Sequence, residues 1–242
     1  MIKKLNSLAN TDGGFPPFMS VIKVDYLFPQ GNTDGVFCQE LNGKNTLVFS
    51  LRGQTVTMCK LSEDANVEEL LSFFEFYGIK NILSDFLIDG LQLGKRTVLK
   101  AQPRFSASKS VITLTAESVL KDYKNVFGLL SNNGDFAAWY PSFSRKINNA
   151  YACGVYAKEE SVPVSCAVAP FISDGIGIVA GVYTEPSHRG KGYATGCIHA
   201  LLSELKSKSV NTVYLWCEDK NINLYKNAGF TVCGEIYVKK ED

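Results

Sequence analysis

The segment 178–195, IVAGVYTEPSHRGKGYAT, constrains the fold more than any other stretch of the chain. Before it, Tyr151–Ala157, Val164–Ala169 and Ile176–Thr184 are three strand-like runs on short turns, with Ser173-Asp174-Gly175 supplying turn chemistry. After it, Ala194, Cys197, Ile198, Leu201, Leu202 and Leu205 recur on one helical face. The hydrophobic period thus changes from two to 3.6 across Pro186, Gly190 and Gly192, and Thr212–Cys217 then returns to strand. A meander that runs through a glycine turn into a helix and on to another strand is a β-α-β crossover. A short helix at Asn221–Ala228 and a strand at Thr231–Val238 complete this half; a strand at Val111–Leu114, a helix carrying Val119, Tyr123, Val126, Phe127 and Leu130, and helical residues before Asn149 precede it.

The amino half repeats that order. Gly35–Leu41, Thr46–Leu51 and Gln54–Leu61 read as strands joined at Asn42-Gly43 and Arg52-Gly53. A helix follows, with Asn66 as cap, Glu69 three residues on, Val67, Leu70, Leu71 and Phe74 on one face and Gly78 as its stop. Strands near Ile79–Leu83 and Thr97–Lys100 complete the half, while Pro16, Pro17 and Pro29 break up Met1–Gln30. Apolar periodicity lapses in AQPRFSASKS, Ala101–Ser110, which sets the expected domains at 1–106 and 107–242. The fold class is α/β with a mixed sheet (α+β in its order), two tandem units of one design.

With 242 residues, 45% of them hydrophobic, the chain can build a core without staples. Lys and Arg total 25 against 24 Asp and Glu, so nothing in the net charge attracts nucleic acid or an anionic membrane. No apolar run reaches membrane-spanning length and Met1–Ser20 lacks a secretory signal, so the reading is cytoplasmic. The seven cysteines are odd in number and have no CxxC spacing; with His188 and His199 alone beside them they read as buried thiols, and no metal is expected.

The chemistry lies in the glycine turn. Gly190 and Gly192 permit close backbone approach, so the N–H groups from Arg189 to Thr195 can converge on a phosphate at the positive end of the helix, with Arg189 and Lys191 at the rim. Gly192, not Ser or Thr, follows Lys191, so this is no Walker loop. Two glycines after an antiparallel meander do not make a dinucleotide fingerprint either.

Arg189-Gly190-Lys191-Gly192-Tyr193-Ala194 resembles the Gln/Arg-x-x-Gly-x-Gly/Ala loop of the GCN5-related N-acetyltransferase (GNAT) superfamily. Val182-Tyr183-Thr184 resembles the end of that family's fourth strand, and Leu224-Tyr225 with Gly229-Phe230 its Leu-Tyr-x-x-x-Gly-Phe segment. The resemblance covers about Ala107 to Asp242 and implies acetyl-CoA as donor to a small-molecule or protein amine. The donor's pyrophosphate would rest on Arg189, Gly190, Lys191, Gly192, Tyr193, Ala194 and Thr195, and its pantetheine would pair with Val182, Tyr183 and Thr184 in a form of β-addition. Tyr225 would be the general acid, since a phenol is protonated at neutral pH. The family's cofactor-binding Asn, seven residues before that Tyr, is Glu218 here; Asn221 or Asn223 could substitute, although Asn221 could equally cap a helix. Glu185 and Glu218 are the candidate bases, each also readable as a solvated surface carboxylate. Trp139, Tyr140 and Phe143 could line an acceptor pocket or pack the core.

In the amino half, the turn equivalent to the glycine loop reads KLSEDANVEE. It has no glycine and carries Glu63, Asp64, Glu68 and Glu69, which would repel a pyrophosphate. One active site per chain is expected, the degenerate amino unit covering the acceptor side or supplying a homodimer surface. The rival reading is a silent acyl-CoA-binding module. An aminoacyl transferase of paired units is disfavoured for want of a basic surface.

Overall fold

A computed structural model describes residues 1–8, 11, 13–105, 111–131 and 135–239. The expected boundary at 106/107 lies outside the described residues. By packing, the chain divides into two compact units. One comprises Met1–Val98 with Trp216–Asp219 and Gly234–Asp242; the other comprises Leu99–Leu215 with Lys220–Cys233.

The first unit begins with strand β1 (Ile2–Lys4) and helix α1 (Pro16–Leu27). The prolines that were expected to break this region instead open its helix. Pro16 and Pro17 occupy the first positions of α1, where a missing N–H costs nothing because those amides have no partner within the helix. Strands β2 (Gly35–Leu41), β3 (Lys44–Arg52) and β4 (Thr55–Lys60) form the expected antiparallel meander. Register sorts their side chains by face. Phe37, Phe49 and Met58 stand in one row and join Leu70 and Phe74 of helix α2 (Val67–Tyr77) in a buried core; Cys38, Val48 and Cys59 form a row on the opposite face, where the Cys59 thiol reaches the Phe15 carbonyl beside α1. Strand β5 (Asn81–Ser84) returns parallel to β4. Strand β6 (Gly94–Ala101) carries the chain onward.

The second unit repeats the plan. Strand β7 (Val111–Leu114) and helices α3 (Leu120–Leu130) and α4 (Phe136–Asn148) lead into the antiparallel meander β8 (Cys153–Glu159), β9 (Val162–Ser173) and β10 (Ile176–Thr184). Helix α5 (Tyr193–Ser207) and strand β11 (Thr212–Cys217) follow, β11 pairing parallel with β10. Helix α6 (Ile222–Asn227) and strand β12 (Thr231–Lys239) end the described chain. The α3–α4 face of the meander carries Tyr156, Cys166 and Val168 in a core with Tyr123, Val126 and Phe143. Trp139 stacks on Phe143 at 4.6 Å and Tyr140 packs edge-on against Tyr123, so these aromatics pack the core.

The last strand does not stay with the second unit. Tyr237, Val238 and Lys239 pair antiparallel with Ser84, Leu83 and Ile82, extending the sheet of the first unit beyond β5. No local signal in the sequence marks that return.

Candidate active site

The site is built by one irregularity in β10. This strand keeps ladder register with β11 only at Ile176, Gly177 and Ile178, opposite Thr212, Val213 and Tyr214. Register shifts then interrupt its pairing with β9 on either side of Ala180, and Gly181 adopts φ 61°. That φ favours glycine, and a Cβ at Gly181 would stand 2.6 Å from Leu130 Cδ2, so that the leucine would have to shift. Past this irregularity Val182, Tyr183 and Thr184 run on beyond the parallel ladder and line one wall of a cleft. From behind, Ser165 holds that wall. Its hydroxyl donates to the Tyr183 carbonyl at 2.9 Å and lies 2.8 Å from the Thr184 hydroxyl.

The opposite wall is the entrance to α5. Gly192 caps this helix at φ 83°, with no side-chain capping bond, and Gly190 has φ 77°. A Cβ on either glycine would meet nothing within 4 Å, so both face open space. The first amides of α5 are therefore left to an external acceptor, at the positive end of a 15-residue helix. Arg189 is fixed by donation from Nε to the Thr184 carbonyl at 3.1 Å, which ties the turn to the strand wall.

Between these walls lies a cleft of about 680 Å³, lined by Val182, Tyr183, Thr184, His188, Arg189, Gly190, Gly192, Tyr193, Ala194, Thr195, Lys220, Asn221 and Leu224. Nine of the ten predicted strand and loop residues are among them, as is Asn221. The lining brings together Arg189, Lys220 and His188 and includes no carboxylate, so its chemistry is that of an anion receptor with an amide-bearing wall. Asn221 occupies the cap position of α6 by its backbone, but its side chain makes no capping bond.

The remaining predicted residues lie elsewhere. Lys191 turns away from the lining and pairs with Glu159 at 3.2 Å. Tyr225 follows the lining residue Leu224 on α6, half-buried, its ring edge-on to Phe230 at 6.1 Å. Glu185 sits half-buried where β10 ends, its N–H donating to the Val164 carbonyl. Glu218 belongs by packing to the other unit, where it meets Arg96 at 3.3 Å.

His188, Lys220 and Leu224 are lining residues that the sequence reading had not placed there. Lys220 and Leu224 flank the predicted Asn221 and Tyr225, and that proximity was the available signal; for His188 the signal is its place directly before the glycine loop. Its Nδ1 lies 2.9 Å from the Ser187 hydroxyl and its Nε2 2.8 Å from Glu159. Cys197 is buried, and desolvation pushes its thiol up to about 11, which keeps it protonated and unfit as an acyl carrier. Among the described residues, no helix is long and apolar enough to cross a membrane, and no group of three His, Cys, Asp or Glu is placed to hold a metal.

Comparison with known proteins bears on the family and the fold. Residues 117–230 match the model of the Acetyltransferase (GNAT) family. No curated protein matches the chain. Among solved structures, a GCN5-related N-acetyltransferase from Sphaerobacter thermophilus superposes with TM-score 0.60 at 12% identity, over 84% of this chain and 79% of that one. Another from Kribbella flavida gives 0.57 at 14% identity, over 93% and 95%. A tandem GNAT protein from the clavulanic acid biosynthesis pathway gives 0.58 at 10% identity, over 98% and 97%. At such identities the likeness is one of fold, and it extends well beyond the residues that match the family model. Sequence motif, family match and fold converge: the carboxyl-terminal half of this chain belongs to the GNAT superfamily of acetyltransferases.

Proposed function

We propose that the chain is an N-acetyltransferase that moves an acetyl group from acetyl-CoA directly to a primary amine, with one active site, in the carboxyl-terminal unit. The observation that carries this reading is the uncapped entrance of α5 facing the open edge of β10 across a cleft lined by cations and no carboxylate. The parts fit the donor: amides of Gly192 to Thr195 suit a pyrophosphate, and the backbone of Val182 to Thr184 suits an amide-rich arm laid alongside it. Acetyl-CoA supplies an activated thioester carbonyl and a thiol leaving group.

The chain's own residues bind, orient and move protons. Arg189 and Lys220 neutralise phosphate charge, Asn221 offers an uncommitted amide, and Ser165 stiffens the strand that aligns the donor. Tyr225 holds the proton for the departing thiolate. Glu185 is the carboxylate left to receive the amine proton, directly or through water, because Glu218 is engaged by Arg96. The repeated order of meander, helix and parallel strand supports a tandem design in which the amino-terminal unit keeps the fold without the donor site.

A catalytically silent acyl-CoA-binding module is favoured by the absence of a carboxylate from the cleft lining. Release of CoA thiol from acetyl-CoA against a panel of amines separates the two. The enzyme releases thiol with at least one amine, and Tyr225→Phe lowers kcat by about 100-fold while donor affinity moves less than about twofold. Calorimetric binding without thiol release from any amine would establish the silent module.

A further inference from the structure

Glu159 is a carboxylate outside the cleft that reaches the residues at its mouth. It is the last residue of β8 and pairs with Val162 across a tight hairpin whose two turn residues, Glu160 and Ser161, both have positive φ, so its backbone is firmly placed. Three residues of the phosphate turn converge on it. His188 Nε2 lies at 2.8 Å, Lys191 Nζ at 3.2 and 3.4 Å from the two carboxylate oxygens, and the Tyr193 hydroxyl donates to the same group. His188 and Tyr193 themselves line the cleft, and their rings meet edge-on at 6.3 Å. Tyr193 and then Lys191 hold the Glu159 carboxyl below the usual range.

We infer that Glu159 is the resident counter-anion of the phosphate turn, occupying Lys191, His188 and Tyr193 until the diphosphate of the donor takes them over. The inference rests on the acyl-CoA reading of the cleft and adds a residue that sets how tightly, and in exchange for what, the turn accepts a phosphate ligand. Lys191 faces Glu159 as the cation of an ion pair, both carboxylate oxygens lying within 3.4 Å of its Nζ. A diphosphate arriving at the amides of α5 brings a higher charge to the same mouth, and the flexible lysine stem lets the ammonium change partners. Glu159 remains nearby throughout as a like charge that opposes the ligand. Removing it therefore tightens binding, the reverse of what loss of a bracing residue would do.

The test is titration calorimetry of CoA and, separately, of inorganic pyrophosphate into the full chain and into Glu159→Gln and Glu159→Ala. The glutamine variant keeps a hydrogen-bond acceptor without the charge; the alanine variant keeps neither. Both variants bind both ligands roughly three- to tenfold more tightly at low salt, and the gain shrinks as salt rises, as screening of a partly exposed charge requires. Adding Lys191→Met to Glu159→Gln removes most of the gain, since the freed lysine supplies it. Unchanged or weaker binding in Glu159→Gln, or weaker binding confined to Glu159→Ala, overturns the inference and makes Glu159 a brace of the loop. If CoA fails to bind the unsubstituted chain while pyrophosphate binds and tightens on substitution, the acyl-CoA reading fails and the counter-anion stands. Failure of both ligands on all variants overturns both.

Discussion

In the amino-terminal unit the path from β4 into α2 is closed at every point where, in the carboxyl-terminal unit, the path from β10 into α5 is open. Strand β4 stays in ladder register with β5 from Thr55 to Met58, along the whole of β5, and the Lys60 N–H beyond it is taken by the Asp85 carboxylate at 2.9 Å. Helix α2 is capped by the Asn66 side chain, which accepts from the Glu69 N–H at 3.0 Å, and its first turn carries Glu68 and Glu69. Strand β10 leaves its parallel partner after Ile178, and α5 starts at a glycine, Gly192, that supplies no side-chain capping bond. The same order of meander, helix and parallel strand thus ends in one unit with the helix entrance satisfied internally and in the other with it left uncapped beside a cleft.

Substitutions at the open entrance should have the largest effects. Gly192→Val puts a β-branched residue at φ 83° and a side chain into the space before the first amides of α5. Affinity for CoA should fall by at least about 100-fold, or about 2.7 kcal/mol, in titration calorimetry. Wild-type affinity would mean that the α5 entrance is not the phosphate site and would erase the contrast with α2.

Gly181→Ala tests the bulge. At φ 61° an alanine carries about 1–2 kcal/mol of strain, and the crowding against Leu130 adds to it, so chemical denaturation should show a loss of about 2 kcal/mol. Relief of the strain by straightening β10 would extend the β10–β11 ladder and narrow the cleft, weakening CoA as well. A stability loss without any change in donor affinity would separate the bulge from the cleft. At the closed entrance, Asn66→Ala should cost about 1 kcal/mol, the usual value of a lost helix cap, and leave CoA affinity unchanged.

How far the sequence reveals this contrast depends on whether the signal is local. The strands Ile176–Thr184 and Thr212–Cys217 and the Asn66 and Gly78 caps of α2 are legible because periodicity and capping chemistry are written within a few residues. The glycine loop is legible for the same reason, and together with Val182–Thr184 it supplied most of the cleft lining in advance. Other features depend on partners distant in sequence. Lys191 reads as a phosphate ligand until folding brings up Glu159, 32 residues earlier. Glu218 reads as a free carboxylate until Arg96 meets it across 122 residues. The return of Tyr237–Lys239 to β5 is a long-range pairing of the same kind. The helix at Pro16–Leu27 was hidden for a different reason: proline breaks a helix interior but suits its first turn, and nothing else in that stretch says which applies.

The smallest predicted effect concerns Asp85, the residue that seals the strand edge in the amino-terminal unit. Burial raises its pKa above the ordinary 3.8, outweighing the backbone N–H groups, first that of Lys60, that favour the charged form. A carboxyl whose pKa is raised by folding binds protons more tightly in the native state than in the unfolded chain. Between 3.8 and that raised value the native state therefore holds more protons, and stability falls as pH rises through the window. Asp85→Asn keeps an oxygen that can accept from the Lys60 N–H and removes the ionisation. Its melting temperature should be slightly above wild type at neutral pH and converge with it at acid pH, where the wild-type carboxyl is protonated. Asp85→Ala serves as the control: it leaves the Lys60 N–H without its acceptor and should destabilise at both pH values. An asparagine variant that is less stable than wild type at neutral pH would mean that the charge itself holds the edge closed, so that the amino-terminal unit is sealed by electrostatics where a neutral hydrogen bond was expected to suffice.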